Sequence, residues 1–139
     1  MAYSNIDISE YIEFFNRVQR AASRDFKAEF KQFLEACAFE FLTDVQNEII
    51  ARKAVDTGLM VNSFGKGRAY NIWEESDTGY EVGSNVEYTK YVNDGHHSSG
   101  GGCWIEGKHF WEAAVRITNK KFPKYIQKRF DEWVAHLFD

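Results

Sequence analysis

From Phe26 onward, apolar side chains return at Phe30, Phe33, Leu34, Cys37, Phe41, Val45 and Ile49. These three- and four-residue steps trace one face of an α-helix. Lys27, Lys31, Glu35, Glu40, Asp44 and Glu48 stay off that stripe, so the pattern predicts a long amphipathic helix that ends near Arg52 or Lys53. A helix of this length must bury its stripe against something, which commits the chain to a layered core. Phe39 and Leu42 widen the apolar face beyond one stripe, as suits a helix that meets its own sheet on one side and a neighbouring subunit on another.

The flanking segments complete the outline. Asp7 followed by Glu10 has capping-box spacing, and Ile8, Tyr11, Ile12, Phe15, Val18 and Ala22 recur at helical intervals, which predicts a first helix over residues 8–22. Between Val55 and Asn85 the helical period disappears, and glycines at 58, 65, 67, 79 and 83 punctuate short segments. Strands are expected near 60–74 and 79–84, paired across Ser76-Asp77-Thr78-Gly79. Asn93 to Gly107, with its run Ser98-Ser99-Gly100-Gly101-Gly102, reads as a long loop. Phe110, Trp111, Ala114 and Val115 then open another helix. A final stripe of Phe122, Tyr125, Ile126, Phe130, Trp133, Val134 and Leu137 forms the last one, with Pro123 expected in its first turn, where a missing N–H costs nothing. The expected class is α+β: long N-terminal helices, a small antiparallel sheet, a glycine-rich loop and C-terminal helices.

The 139 residues suffice for a single domain, 1–139, with one core. Twelve Phe, seven Tyr and four Trp are more aromatic surface than so small an interior readily hides, so some is expected to bury against a partner. A net charge of −4 and a pI near 5.6 argue against specific nucleic-acid binding through bulk electrostatics. A local basic patch of Lys120, Lys121, Lys124, Lys128 and Arg129 stands out against that background. No apolar run approaches the roughly 20 residues of a membrane span, and the chain starts without a secretory signal pattern. Residence in cytoplasm follows as an expectation, with Cys37 buried, Cys103 exposed and both kept as thiols.

Candidate chemistry is sparse. Asp56-Thr57-Gly58 spells the triplet of retroviral-type aspartic proteases, in which paired aspartates activate water. Those enzymes are nearly all-β, whereas this triplet follows a long helix. The simpler reading is a turn in which Asp56 caps the helix exit and Gly58 takes positive φ. His96, His97, Cys103 and His109 are the residues with metal-ligand chemistry, with Asp94 or Glu106 as the convenient carboxylate. A metal-dependent hydrolase or nuclease built on His96, His97 and His109 is therefore the alternative function, although the spacing matches no standard zinc pattern. A solvated loop and a helix-start His109 explain the same residues, and His136 reads as a boundary position. Gly100-Gly101-Gly102 lacks the Gly-Lys-Ser/Thr that would follow in a phosphate loop. Neither Ser63, Ser84 nor Cys103 sits in a nucleophile context. No cofactor is expected.

Val55-Asp56-Thr57-Gly58-Leu59 with Ser63, then Val82-Gly83-Ser84-Asn85-Val86-Glu87-Tyr88 with Tyr91-Val92, then Gly95-His96, Trp104, Gly107 and Phe110 occur in this order between a long helix and a following one. In that order and spacing the chain resembles the head-tail joining or tail-completion (neck) proteins of tailed bacteriophages and prophages. Thr89 stands where a small apolar residue is common, and Asn93-Asp94 where an acidic-aromatic pair is frequent. The resemblance implies a virion structural protein without catalysis, made in host cytoplasm. It would form a ring subunit at the head-proximal end of the tail, a hexamer being one candidate closure. The implied partners are head-tail connector proteins, the tail tube or tail terminator protein, and further copies of itself, with no membrane. The residues expected at subunit or partner interfaces are Asp56, Thr57, Gly58, Tyr88, Tyr91, His96, His97 and Trp104, with Trp104 as the anchor because a Trp amid glycines is otherwise hard to justify.

Overall fold

A computed structural model describes residues 3–7, 9–10, 12–13, 16, 26–54, 58–76, 79–98 and 100–135. In chain order the elements are β1 (Tyr3–Asp7), α1 (Phe26–Ala51), α2 (Leu59–Ser63), β2 (Asn71–Ser76), β3 (Gly79–Ser84), α3 (Thr89–Asp94), β4 (Gly95–His97), β5 (Trp104–Glu106) and α4 (Phe110–Ala135). This is the α+β class expected, with one long helix early, one long helix late and two small antiparallel sheets between them.

The core forms where α1 lies between the three-stranded sheet and α4. Phe30, Phe33, Leu34, Ala38, Phe41, Leu42, Val45 and Ile49 are all buried, so the stripe does what its period requires. Leu42 turns inward, while Phe39 and Ile50 stay exposed on α1. Phe41 meets Trp111 edge-to-face at 5.1 Å, and Phe30 meets Trp133 at 5.8 Å, so both ends of α4 are held by aromatic pairs across the helix interface. Lys121 of α4 reaches Glu40 at 3.2 Å and Asp44 at 3.3 Å on α1. Partial burial lowers its pKa, but hydrogen bonds and attraction from Glu40 and Asp44 outweigh this, and the net shift is upward.

In the main sheet β3 is central, antiparallel to both β1 and β2. Strand alternation sends Tyr80, Val82 and Ser84 toward α1 and places Glu81 on the other face; Val82 is fully buried. Trp73, opposite Val82, packs against the core and meets the Tyr80 ring at 5.4 Å in a tilted arrangement.

Several expectations need correction. The segment expected as a strand near 60–74 begins as the helical turn α2 and passes through turns before β2 starts at Asn71. The reason is visible in the burial of Met60, Ser63 and Phe64, which recur at three- and four-residue steps that a strand would scatter over both faces. Gly58 opens that turn with φ of 83°, the positive value expected for it. β1 was not foreseen: its five residues carry one large aliphatic side chain, Ile6, and too little period to read. The segment Asn93–Gly107 is not one open loop, since Gly95–His97 pairs with Trp104–Glu106 in a hairpin turned through Gly100 and Gly101, both at positive φ. The two C-terminal helices are a single helix, and Pro123 lies inside it instead of in a first turn. Pro123 and Asn119, whose carbonyl loses its helical donor, are both exposed, so water can replace the missing bond. Of the predicted first helix, residues 9, 10, 12, 13 and 16 are helical, and the rest of residues 8–22 lies outside the described residues, as does His136. Cys37 is half-buried and Cys103 exposed. Burial, together with Glu40, raises the Cys37 thiol to about 11, which suits an inert core thiol.

Candidate assembly interface

The two halves of the sequence pattern meet inside the molecule. Ser63 on α2 and Ser84 at the end of β3 are buried and hydrogen-bonded to each other. Ser63 Oγ also donates to the Met60 carbonyl, and the Val86 N–H donates to Ser84 Oγ at 3.1 Å. The proton order is thereby fixed: Ser84 accepts from Val86 and donates to Ser63, which donates to Met60. Asn71 Nδ2 ties the same corner by donating to the Ser63 carbonyl at 3.0 Å and the Gly83 carbonyl at 3.2 Å. These serines are structural joints, which accords with the absence of a nucleophile context around them.

Asn93 makes the second joint. Its side chain is fully buried, its Oδ1 accepts from the Trp111 N–H at 2.9 Å, and its Nδ2 donates to Asp94 at 2.8 Å and to Glu112 at 2.9 Å. The His109 N–H donates to the Asn93 backbone carbonyl at 3.0 Å, and the Lys108 N–H to that of Val92 at 2.9 Å. One asparagine from α3 therefore caps the start of α4, a role normally taken by a residue at the helix's own N-terminus. Gly107 is required beside it, because a Cβ there would collide with the Asn93 carbonyl oxygen and with the backbone of Asp94 and Gly95. Sequence reasoning noted Asn93 only as a departure from the usual pair. Its capping role joins residues 18 positions apart and leaves no local signal.

On this frame stands the β4–β5 hairpin. All three residues of β5 are exposed, Trp104 at 55% and Ile105 at 45%, and Tyr91 on α3 is 56% exposed beside them. His97 lies opposite Trp104 and His96 opposite Ile105, so the two imidazoles leave opposite faces of the hairpin. The His97 ring meets Trp104 at 5.2 Å and the His96 ring meets Tyr91 at 6.3 Å. Tyr88 is also exposed, at the start of α3. The structure therefore divides the expected residues between the two faces of the hairpin, Tyr91 and His96 on one and His97 and Trp104 on the other, with Tyr88 a turn before Tyr91. Gly58 sits apart at the head of α2, and Asp56 and Thr57 lie outside the described residues.

His109 is spent locally. It stands at φ 51° immediately before α4, with Nε2 3.1 Å from Glu106 and Nδ1 3.7 Å from Glu112. Hydrogen bonds from His109 and from the Trp104 indole hold the Glu106 carboxyl below its ordinary pKa. Among the described residues no three or more His, Cys, Asp or Glu side chains are placed to hold one metal ion, and the hydrolase alternative gains no ligand constellation from the fold. Also among the described residues, no helix is long and apolar enough to cross a membrane.

The family described as "Bacteriophage HK97-gp10, putative tail-component" matches residues 12–95, which takes in α1, the Ser63–Ser84 corner and α3, and ends where the hairpin begins. The chain is 29% identical over 160 aligned positions to "Uncharacterized protein YqbI" of Bacillus subtilis (strain 168), covering 91% of this chain and 96% of that one. It is 26% identical over 149 positions to "Phage-like element PBSX protein XkdI" of the same organism, covering 86% and 92% respectively. No solved structure gives a significant match. With more than half its length matched, the chain belongs to the HK97-gp10-like family of bacteriophage tail components, and phage structural proteins are the class to which these likenesses point.

Proposed function

We propose that this protein is a non-catalytic ring subunit at the head-proximal end of a phage tail, contacting connector proteins on one side and the tail tube or terminator on the other. The observation that carries this reading is the hairpin. A two-stranded ribbon is marginal in water on its own, yet here it displays Trp104 and Ile105 to solvent, with Tyr91 of α3 exposed beside it, while its base is fixed by Asn93, Gly107 and the Glu106–His109 contact. Large aromatic side chains held on a rigid base and left uncovered are the composition of a protein interface core. The family match supports the same direction. Tyr88, Tyr91, His96, His97 and Trp104 form the contact surface in this reading, with Asp56, Thr57 and Gly58 serving a second contact at the entrance to α2.

The test is Trp104→Ala in the phage or prophage that encodes the chain. Heads and tails should accumulate unjoined, while the purified variant keeps the helical circular dichroism and melting temperature of the parent. Normal particle yield from a variant that is folded and incorporated would defeat the reading.

A further inference from the structure

Two surfaces of this subunit repel themselves. On β2 and β3, Glu74 stands directly opposite Glu81, on the sheet face turned away from α1. Like charges in that position destabilise a strand pair. Glu74 is exposed and Glu81 half-buried, and among the described residues neither has a cation within ion-pair distance. On α4 the same situation occurs with the opposite sign. Arg116, Lys120, Lys124 and Lys128 follow one another at four-residue steps and are all exposed, with Lys120 and Lys124 about half a turn from the core-facing Phe122, and each is the like-charged neighbour of the next. None of the four has an anionic partner among the described residues, whereas Lys121 is committed to Glu40 and Asp44, and Arg129 to Glu132. Asp131, which accepts from Gln127, marks the end of the stripe.

The dimensions of the two patches agree. Successive lysines of the stripe are one helical turn apart, about 6 Å along the axis. Carboxylates on paired strands are about 5 Å apart at Cβ. Among the described residues the acidic pair and the basic stripe lie on different outer surfaces and neither has an opposite charge to meet, whereas a second copy can bring the two patches together.

We propose that copies of this chain dock head to tail, with Lys120 and Lys124 on α4 of one copy seated on the Glu74–Glu81 pair of the next. The inference rests on the ring reading above and gives it a register. A contact between two different patches is heterologous, so it propagates around a ring when the rotation closes. The ion pairs set orientation and encounter rate, and exposed apolar side chains supply the remaining affinity.

The experiment is sedimentation velocity of the full chain over a concentration series at low and high salt, with three variants: Lys120→Glu/Lys124→Glu, Glu74→Lys/Glu81→Lys, and all four changes together. Self-association of the parent should weaken as salt rises, since screening shortens from about 10 Å at 0.1 M to about 3 Å at 1 M. Each double variant should associate at least about tenfold more weakly, while an equimolar mixture of the two, and the fourfold variant alone, should recover assembly. Recovery by complementation separates a contact between copies from simple damage to the fold. A parent that assembles but is indifferent to both charge reversals overturns this interface and leaves the ring reading standing. A parent that stays monomeric at near-millimolar concentration in low salt overturns self-association in both. Retention of duplex DNA by the parent that disappears in Lys120→Glu/Lys124→Glu, with assembly unchanged, would reassign the stripe to nucleic acid.

Discussion

The Ser63–Ser84 corner and the β4–β5 hairpin both combine polar with aromatic side chains, but the first is sealed and the second is open. At the corner each hydroxyl has a donor and an acceptor, and Phe64, Val82 and Val86 around it are buried. At the hairpin Trp104, Ile105 and Tyr91 face water, and the fixed groups lie beneath, at Asn93 and Gly107. The difference separates two reasons for an aromatic residue to be present in a small domain: one kind holds the subunit together, and the other waits for a neighbour.

That contrast can be broken most severely from the sealed side. Phe64 packs on Phe110 and Trp111, each at 6.0 Å, and Phe64→Ala should cost about 3–5 kcal/mol in chemical denaturation, the usual penalty for emptying a packed aromatic site. Asn93→Ala comes next. It leaves the buried Trp111 N–H without an acceptor, a loss of about 1–3 kcal/mol, and a melting temperature indistinguishable from the parent would show that α4 does not need this cap. Trp104→Ala removes only exposed contacts, the indole bond to Glu106 and the ring contact with His97, and should cost less than about 1 kcal/mol, while abolishing joining.

The smallest expected effect needs no mutation. Glu106 is held below its ordinary pKa by His109 and Trp104. A depressed carboxyl contributes stability that is complete above its unfolded value and lost as pH falls through its folded one. Titration below the usual carboxylate range should therefore alter the fluorescence of Trp104 before far-ultraviolet circular dichroism reports loss of the helices. A simultaneous change in both signals would mean that the hairpin is not an independent unit.

How much of this was legible follows from where the information lies. The stripe of α1 is local and periodic, and its boundaries and burial came out as the period required. The pairing of β2 with β3, which closes at Ser76 and Gly79, is the one that the sequence marks. α2 is hard to read locally because it is only five residues long and its N-cap, Gly58, makes no side-chain cap hydrogen bond, so the glycines around it suggest turns and strands instead. The hairpin was missed because its pairing depends on Gly107 approaching Asn93, a contact between separated residues. Pro123 was assigned to a helix start on the strength of its local preference, and the aromatic contacts at both ends of α4 outweigh that preference. For the candidate surface, the residue types were readable and their grouping was not. The basic patch read as five residues divides in the fold, with Lys121 and Arg129 engaged and Arg116 joining the remainder.

The register of β1 carries a consequence for synthesis. Tyr3 pairs with Gly83 and Asp7 with Gly79, so the strand made first pairs with one that exists only after α1, α2 and β2 have been translated. Closing so wide a loop is slow compared with the local pairing of β2 and β3. As ribosomal synthesis proceeds, the β2–β3 ribbon can form and seat on α1 while β1 is still unpaired, and the sheet is completed from its far edge by a strand made before either of them.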